Sequence, residues 1–174
     1  MWLCIRNLTK DYDTNLNLPV ETDELEQILG DCEWIIIDHE NTLSLGEYHS
    51  IREVNEFLLE CQDMWDVDDD TLSILSRTYL YEEVMEMVRA ESFTIINFTA
   101  ETSGWNYGHG GDIYNEDTLG RVMHDYGMIF DWERKYPITE EMEDDIQWEN
   151  LWTTAVCTGW RTVSYKDNDY IVHR

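Results

Sequence analysis

Basic side chains are scarce in this sequence: 11 Lys and Arg stand against 38 Asp and Glu, a formal net charge of −27 over 174 residues. A chain so short of cations repels phosphates, so direct contact with nucleic acid is not expected. Long apolar runs are missing too; none approaches the roughly 20 residues that cross a bilayer. The first residues lack the basic-then-apolar layout of a secretory leader. The expectation is a soluble, cytoplasmic protein with no membrane partner. The four cysteines, Cys4, Cys32, Cys61 and Cys157, show neither a C-x-x-C pair nor metal-type spacing. Three lie in apolar segments, which predicts buried free thiols in a reducing cytosol. Neither an internal repeat nor a low-complexity linker interrupts the chain.

Signatures of catalysis are equally sparse. Among 38 carboxylates some pairs inevitably lie close together, yet the sequence singles out none as acid and base. Asp66, Asp68 and Asp70 resemble the start of an EF-hand loop. The sixth position, where glycine is needed, is Thr71, and the twelfth is Arg77 rather than Glu. The histidines His39, His49, His109, His124 and His173 form no close-spaced ligand set. Residues 106–112 (NYGHGGD) invite a phosphate-loop reading but lack its Lys and Ser or Thr. No Ser or Cys nucleophile stands in a recognisable motif. A non-enzyme without metal or cofactor is expected.

What the chain does have is core material: 43% apolar residues, eight Trp and ten Tyr. Disordered chains of this charge are poor in aromatics, so this one folds. Its charge exceeds what solubility needs, and self-repulsion of that size opposes compactness. Salt adaptation or general acidity would account for it blandly; a cationic partner is the informative alternative.

Hydrophobic periodicity predicts alternating short strands and helices. Residues 2–8 read as a strand followed by a polar loop over 9–17. Thr22 is placed to cap a helix with the stripe Leu25, Ile28 and Leu29, stopped by Gly30 in the left-handed conformation. Residues 34–38, with three isoleucines, read as a buried strand. Ser50 and Glu53 fit a capping box that opens a helix with Ile51, Val54, Phe57, Leu58 and Cys61 on one face. An acidic break over 63–70 precedes two helices, about 71–79 and 81–90, and a strand over 92–98. Residues 99–115 read as a long Gly-rich loop, of the kind that is usually functional or mobile. Helices follow at about 116–126, after a cap at Thr139, and at about 148–156. A hairpin turning through residues 166–169 ends the chain.

The carboxylates recur on the solvent faces of these helices and in the breaks between them: Asp23, Glu24 and Glu26; Asp63, Asp66, Asp68, Asp69 and Asp70; Glu82, Glu83 and Glu86; Glu140, Glu141, Glu143, Asp144 and Asp145. Any one cluster is an ordinary solvated face; the sum is not. Duplex DNA carries about one charge per 1.7 Å, so 27 charges match roughly 46 Å, or about 14 base pairs. Carboxylates four apart on a helix are separated by about 6 Å of rise, within a factor of two of phosphate spacing. A basic DNA-binding groove would be drawn to such a surface.

Several stretches resemble the ArdA-type antirestriction proteins, which mobile genetic elements carry to evade host defence. Ile5-Arg6-Asn7-Leu8-Thr9-Lys10 is similar to that family's first strand, I-x-N-L-x-K-Y. Ile37-Asp38-His39-Glu40 and then Glu47-Tyr48-His49-Ser50-Ile51-Arg52-Glu53-Val54-Asn55 resemble its DYE strand and E-Y-x-S-I-x-E-L-N. Asp125-Tyr126-Gly127-Met128-Ile129 and Ile146-Gln147-Trp148-Glu149-Asn150-Leu151 stand where it has E-T-G-x-L and I-D-Y-x-A-Y. The resemblance implies an elongated α+β molecule of three small subdomains of short antiparallel strands and short helices: an α+β part over 1–62, a mostly helical part over 63–98, and an α+β part over 99–174. It implies a homodimer through the last part, for which Phe130, Trp132, Tyr136, Trp148, Leu151 and Trp152 are the candidate contacts. It further implies DNA mimicry, with the acidic clusters above bound to the methyltransferase core of type I restriction-modification enzymes. Two rivals stay open: an acidic inhibitor of another nucleic-acid-binding defence system, of the anti-CRISPR kind, and a small acidic enzyme or metal-binding protein.

Overall fold

The computed structural model describes residues 1–103, 105 and 112–174. The fold is α+β, with helices and antiparallel strands in two small sheets. The chain divides into two compact units, Met1–Ser92 and Phe93–Arg174. That division falls at neither 62/63 nor 98/99. The helices of the middle stretch belong to the first unit, and its strand is an edge of the second unit's sheet. No helix among the described residues is long and apolar enough to cross a membrane.

In the first unit β1 (Trp2–Asn7) lies between β2 (Tyr12–Asn17) and β3 (Trp34–His39), antiparallel to both. Alternation puts Leu3, Ile5 and Asn7 on the buried face. Asn7 makes the turn: its Oδ1 accepts from the N–H groups of Thr9 and Lys10 at 2.9 and 2.8 Å. β2 corrects the expected polar loop. Asp and Asn are poor strand formers, and only Leu16 of its six residues is buried. Pairing with β1 overrides that, helped by the cross-strand ion pair of Arg6 with Asp13. β3 is also less buried than the expected strand. A register shift between Cys4 and Ile5 leaves Ile37 unpaired and 40% exposed, so only Ile36 is buried.

Helix α1 (Thr22–Leu29) buries Leu25 and Leu29. Thr22 is its first residue rather than its cap: Glu21 occupies that place and makes no side-chain cap bond. Gly30 ends it at φ 54°, ψ −150°, a conformation strained for residues with a Cβ and not the left-handed helical one expected. Trp34 then donates Nε1–H to the Leu29 carbonyl at 2.9 Å, joining helix end to strand start. Helix α2 (Ile51–Gln62) carries the predicted face and one half of the predicted capping box, Ser50 Oγ accepting from Glu53 N–H at 3.3 Å. It also buries Asn55, whose amide clasps Val20 from both sides: Oδ1 accepts from its N–H at 2.8 Å, and Nδ2 donates to its carbonyl at 2.9 Å. Helices α3 (Asp69–Ser76) and α4 (Tyr81–Arg89) complete the unit. The acidic break therefore ends earlier than expected, because Asp68 caps α3 by accepting from Thr71 N–H at 2.7 Å.

The second unit has the sheet order β4-β6-β5, from β4 (Thr94–Asn97), β5 (Arg161–Tyr165) and β6 (Asn168–His173). The hairpin turn is tighter than expected, two residues with Lys166 at φ 53°. Phe98, expected as strand, opens the short helix α5 (Phe98–Glu101), capped by Asn97. Helices α6 (Glu116–Asp125) and α8 (Trp148–Cys157) pack on the sheet around Ile96, Phe98, Leu119, Val122, Met123, Leu151, Trp152 and Ile171. Each such side chain, fully buried, stabilises by about 1.5–3 kcal/mol relative to exposure. Between them lies α7 (Glu140–Glu143), a single turn; Thr139 makes no side-chain cap bond and the predicted helix stops short.

Candidate functional site

Of the sixteen nominated carboxylates, fourteen are exposed, and Glu83 and Glu143 are half-buried. Their placement follows from helix electrostatics. Asp23 and Glu24 sit in the first turn of α1, Asp69 and Asp70 in that of α3, Glu82 and Glu83 in that of α4. Glu140, Glu141 and Glu143 fill α7, with Asp144 as its C-cap. Negative charge at a helix start is favourable by about 0.3–1 kcal/mol, so the clusters partly offset their own repulsion. The fold thus holds a high charge without unfolding.

Several nominated groups are partly committed within the chain. Glu26 takes a forked pair of hydrogen bonds from Arg52, at 2.7 and 3.0 Å. Those bonds hold its carboxyl below the usual carboxylate range. Glu82 is held low first by its own backbone N–H and then by His49 Nε2 at 3.1 Å. Glu83 Oε2 accepts from Leu80 N–H at 3.1 Å.

The cations matter as much as the acids. Arg6 forks onto Asp13 at 2.7 and 2.9 Å, and Arg89 onto Glu60 at 2.7 and 2.9 Å. With Arg52 on Glu26, three of the first unit's five basic residues are spent on the chain's own carboxylates. That unit holds 23 acidic residues against five basic, net −18; the second holds 15 against six, net −9. The surface of the first unit is overwhelmingly of one sign.

Burial pushes the Cys61 thiol and the Tyr81 phenol each up to about 12, away from the range where either works as nucleophile or base. Among the described residues no group of three His, Cys, Asp or Glu is placed to hold a metal ion. A cleft of about 510 Å³ in the first unit is lined by Leu18, Leu58, Cys61 and Val67, with Asp68, Asp69 and Asp70 along it. Besides those carboxylates its lining includes Met1, Gln62 and the Cys61 thiol.

Three of the six dimer candidates are corrected. Trp148, Leu151 and Trp152 are 3%, 3% and 7% exposed within their own unit, because α8 turns that face to α6 and the sheet. Phe130 is half-buried and stacked on Trp132, and Tyr136 is exposed. Of the 99–115 loop, residues 99–101 belong to α5, while the glycine-rich stretch 106–111, with His109, lies outside the described residues. Sequence reasoning also missed Trp65, 96% exposed in the turn between Asp63 and Asp66.

The chain matches no family model, and no curated protein matches it either.

Proposed function

We propose that this protein is a non-catalytic DNA mimic that occupies the DNA-binding groove of a type I restriction-modification enzyme, at its methyltransferase core, and blocks restriction. The observation that carries the reading is the pairing of exposed acid clusters with self-neutralised cations. Arg6, Arg52 and Arg89 are each forked onto a carboxylate, so a basic groove approaching the first unit meets little repulsion from them. Its net charge of −18 equals that of roughly 30 Å of duplex. The sequence resemblance to ArdA-type proteins points to the same partner class.

Binding would work by ion exchange. Lysines and arginines that normally hold phosphates engage carboxylates instead, and DNA is released. A protein surface condenses fewer counter-ions than a duplex does, so its affinity should fall with salt, but less steeply than that of DNA itself. The test is a titration into a type I methyltransferase bound to labelled target DNA, at about 50 and about 200 mM salt. Stoichiometric displacement is expected at both, while the protein's own affinity, measured on the DNA-free methyltransferase, falls at the higher salt. Absence of displacement by folded protein would overturn the type I assignment and favour a different nucleic-acid-binding defence enzyme. An affinity for the DNA-free methyltransferase that is indifferent to salt would overturn mimicry itself.

A further inference from the structure

In the second unit a cleft of about 470 Å³ lies between the 130–132 turn and the segment joining α7 to α8. Phe130, Trp132, Met142 and Ile146 supply apolar and aromatic walls, and Asp145 and Asn150 supply polar groups. The rings of Phe130 and Trp132 are stacked, 5.8 Å apart and 14° from parallel. A second clasp steadies that turn: Glu133 accepts from Phe130 N–H at 2.8 Å and pairs with His124 Nε2 at 2.8 Å. The indole is thus anchored on one side while remaining 37% exposed.

From this geometry we infer that the cleft receives an arginine side chain from a cationic partner protein. An indole face attracts a guanidinium, which stacks on it more readily than an ammonium does. A nearby carboxylate can accept the fork of N–H donors, and Met142 and Ile146 offer cover for the aliphatic stem. The charge of the neighbourhood fits that occupant: residues 131–145 hold seven acids against two bases, Arg134 and Lys135. An anionic or wholly apolar ligand would leave Asp145 either repelled or desolvated without a partner. The inference leans on the proposed function only for who carries the arginine; the pocket's chemistry stands without it.

The probe is N-acetyl-arginine amide, with its neutral isostere N-acetyl-citrulline amide as control. Fluorine NMR of protein labelled with 5-fluorotryptophan reads the result, the Trp132 resonance being assigned from Trp132→Phe. Saturable movement of that resonance by the arginine compound, at least fivefold weaker for citrulline and at least fivefold weaker in Asp145→Asn, is expected. The other seven indole signals report whether each variant is folded. Equal responses to the two compounds, or movement unchanged in Asp145→Asn, would overturn the assignment, as would no response at Trp132. Because this assay contains no restriction enzyme, its outcome is independent of the displacement experiment.

Discussion

Replacing Gly120 with alanine is the sharpest structural perturbation the fold offers. Gly120 lies on α6 where it crosses the start of α8. A Cβ built there falls 1.9 Å from the Trp148 carbonyl oxygen, 2.5 Å from its carbonyl carbon and 3.2 Å from its Cα. All three are backbone atoms, so no side-chain rotation relieves the clash. Restoring ordinary contact requires the helices to separate locally by roughly 1.5 Å, and gaps of 0.5–1 Å already forfeit a quarter to a half of the dispersion well. The layer affected includes Leu119, Val122, Met123, Leu151, Trp152 and Ala155. Alanine gains about 1 kcal/mol in helix propensity, while overpacking of this kind costs about 1–3 kcal/mol or more. With rigid backbone as the obstacle, the upper end applies, for a net loss of about 2–3 kcal/mol. In a unit of this size each kcal/mol lowers Tm by about 4–8 °C, so a drop on the order of 10–20 °C is expected. Near-UV circular dichroism follows it through Trp148 and Trp152 in the disturbed layer. Gly30→Ala is the control: an added methyl group there meets nothing within 4 Å, so only positive-φ strain of about 1–3 kcal/mol applies, in the other unit. An unchanged or raised Tm for Gly120→Ala would refute the packing of α6 on α8 described above.

Further outcomes are expected. Single Asp or Glu to amide changes within the acidic clusters should alter displacement by less than about threefold, since exposed charges contribute little singly. Neutralising Asp66, Asp68, Asp69 and Asp70 together should weaken it about tenfold or more and flatten the salt dependence of direct binding to the DNA-free methyltransferase; one carboxylate that alone abolished activity would indicate a discrete site instead. Asn55→Ala should destabilise the first unit by about 2–3 kcal/mol in chemical denaturation, because it strands both the N–H and the carbonyl of Val20; a loss under about 0.5 kcal/mol would mean the clasp contributes nothing. Arg52→Ala should let Glu26 titrate back up into the ordinary carboxylate range, read by carbon-13 NMR. Glu26 is depressed in the folded state, so its pair with Arg52 stabilises above the unfolded carboxylate's pKa and fades as pH falls through the lowered one; an unshifted titration in the variant would sink that coupling.

Much of this protein was readable from side-chain order alone. The α2 face and its Ser50 cap, the stop at Gly30 and the closing hairpin all rest on interactions within a few residues, which periodicity and capping chemistry report directly. The acidity and its solvent exposure were equally legible, since carboxylates seldom bury without a partner. Long-range pairing was not. β2 is a strand because β1 lies beside it, although its own composition argues for a loop. Ile37 is exposed because a register shift displaces it, not because an isoleucine run looks different there. Trp148, Leu151 and Trp152 stood as candidates for a dimer contact, and only the crossing of α6 places them inside their own unit. The candidate site divides in the same way. Sequence determined that the surface is negative, because charge is a sum over residues. Tertiary structure decided that Arg6, Arg52 and Arg89 are spent on internal carboxylates, and that Phe130, Trp132 and Asp145 line one cleft, because distances between residues remote in the chain are set by packing and not by composition.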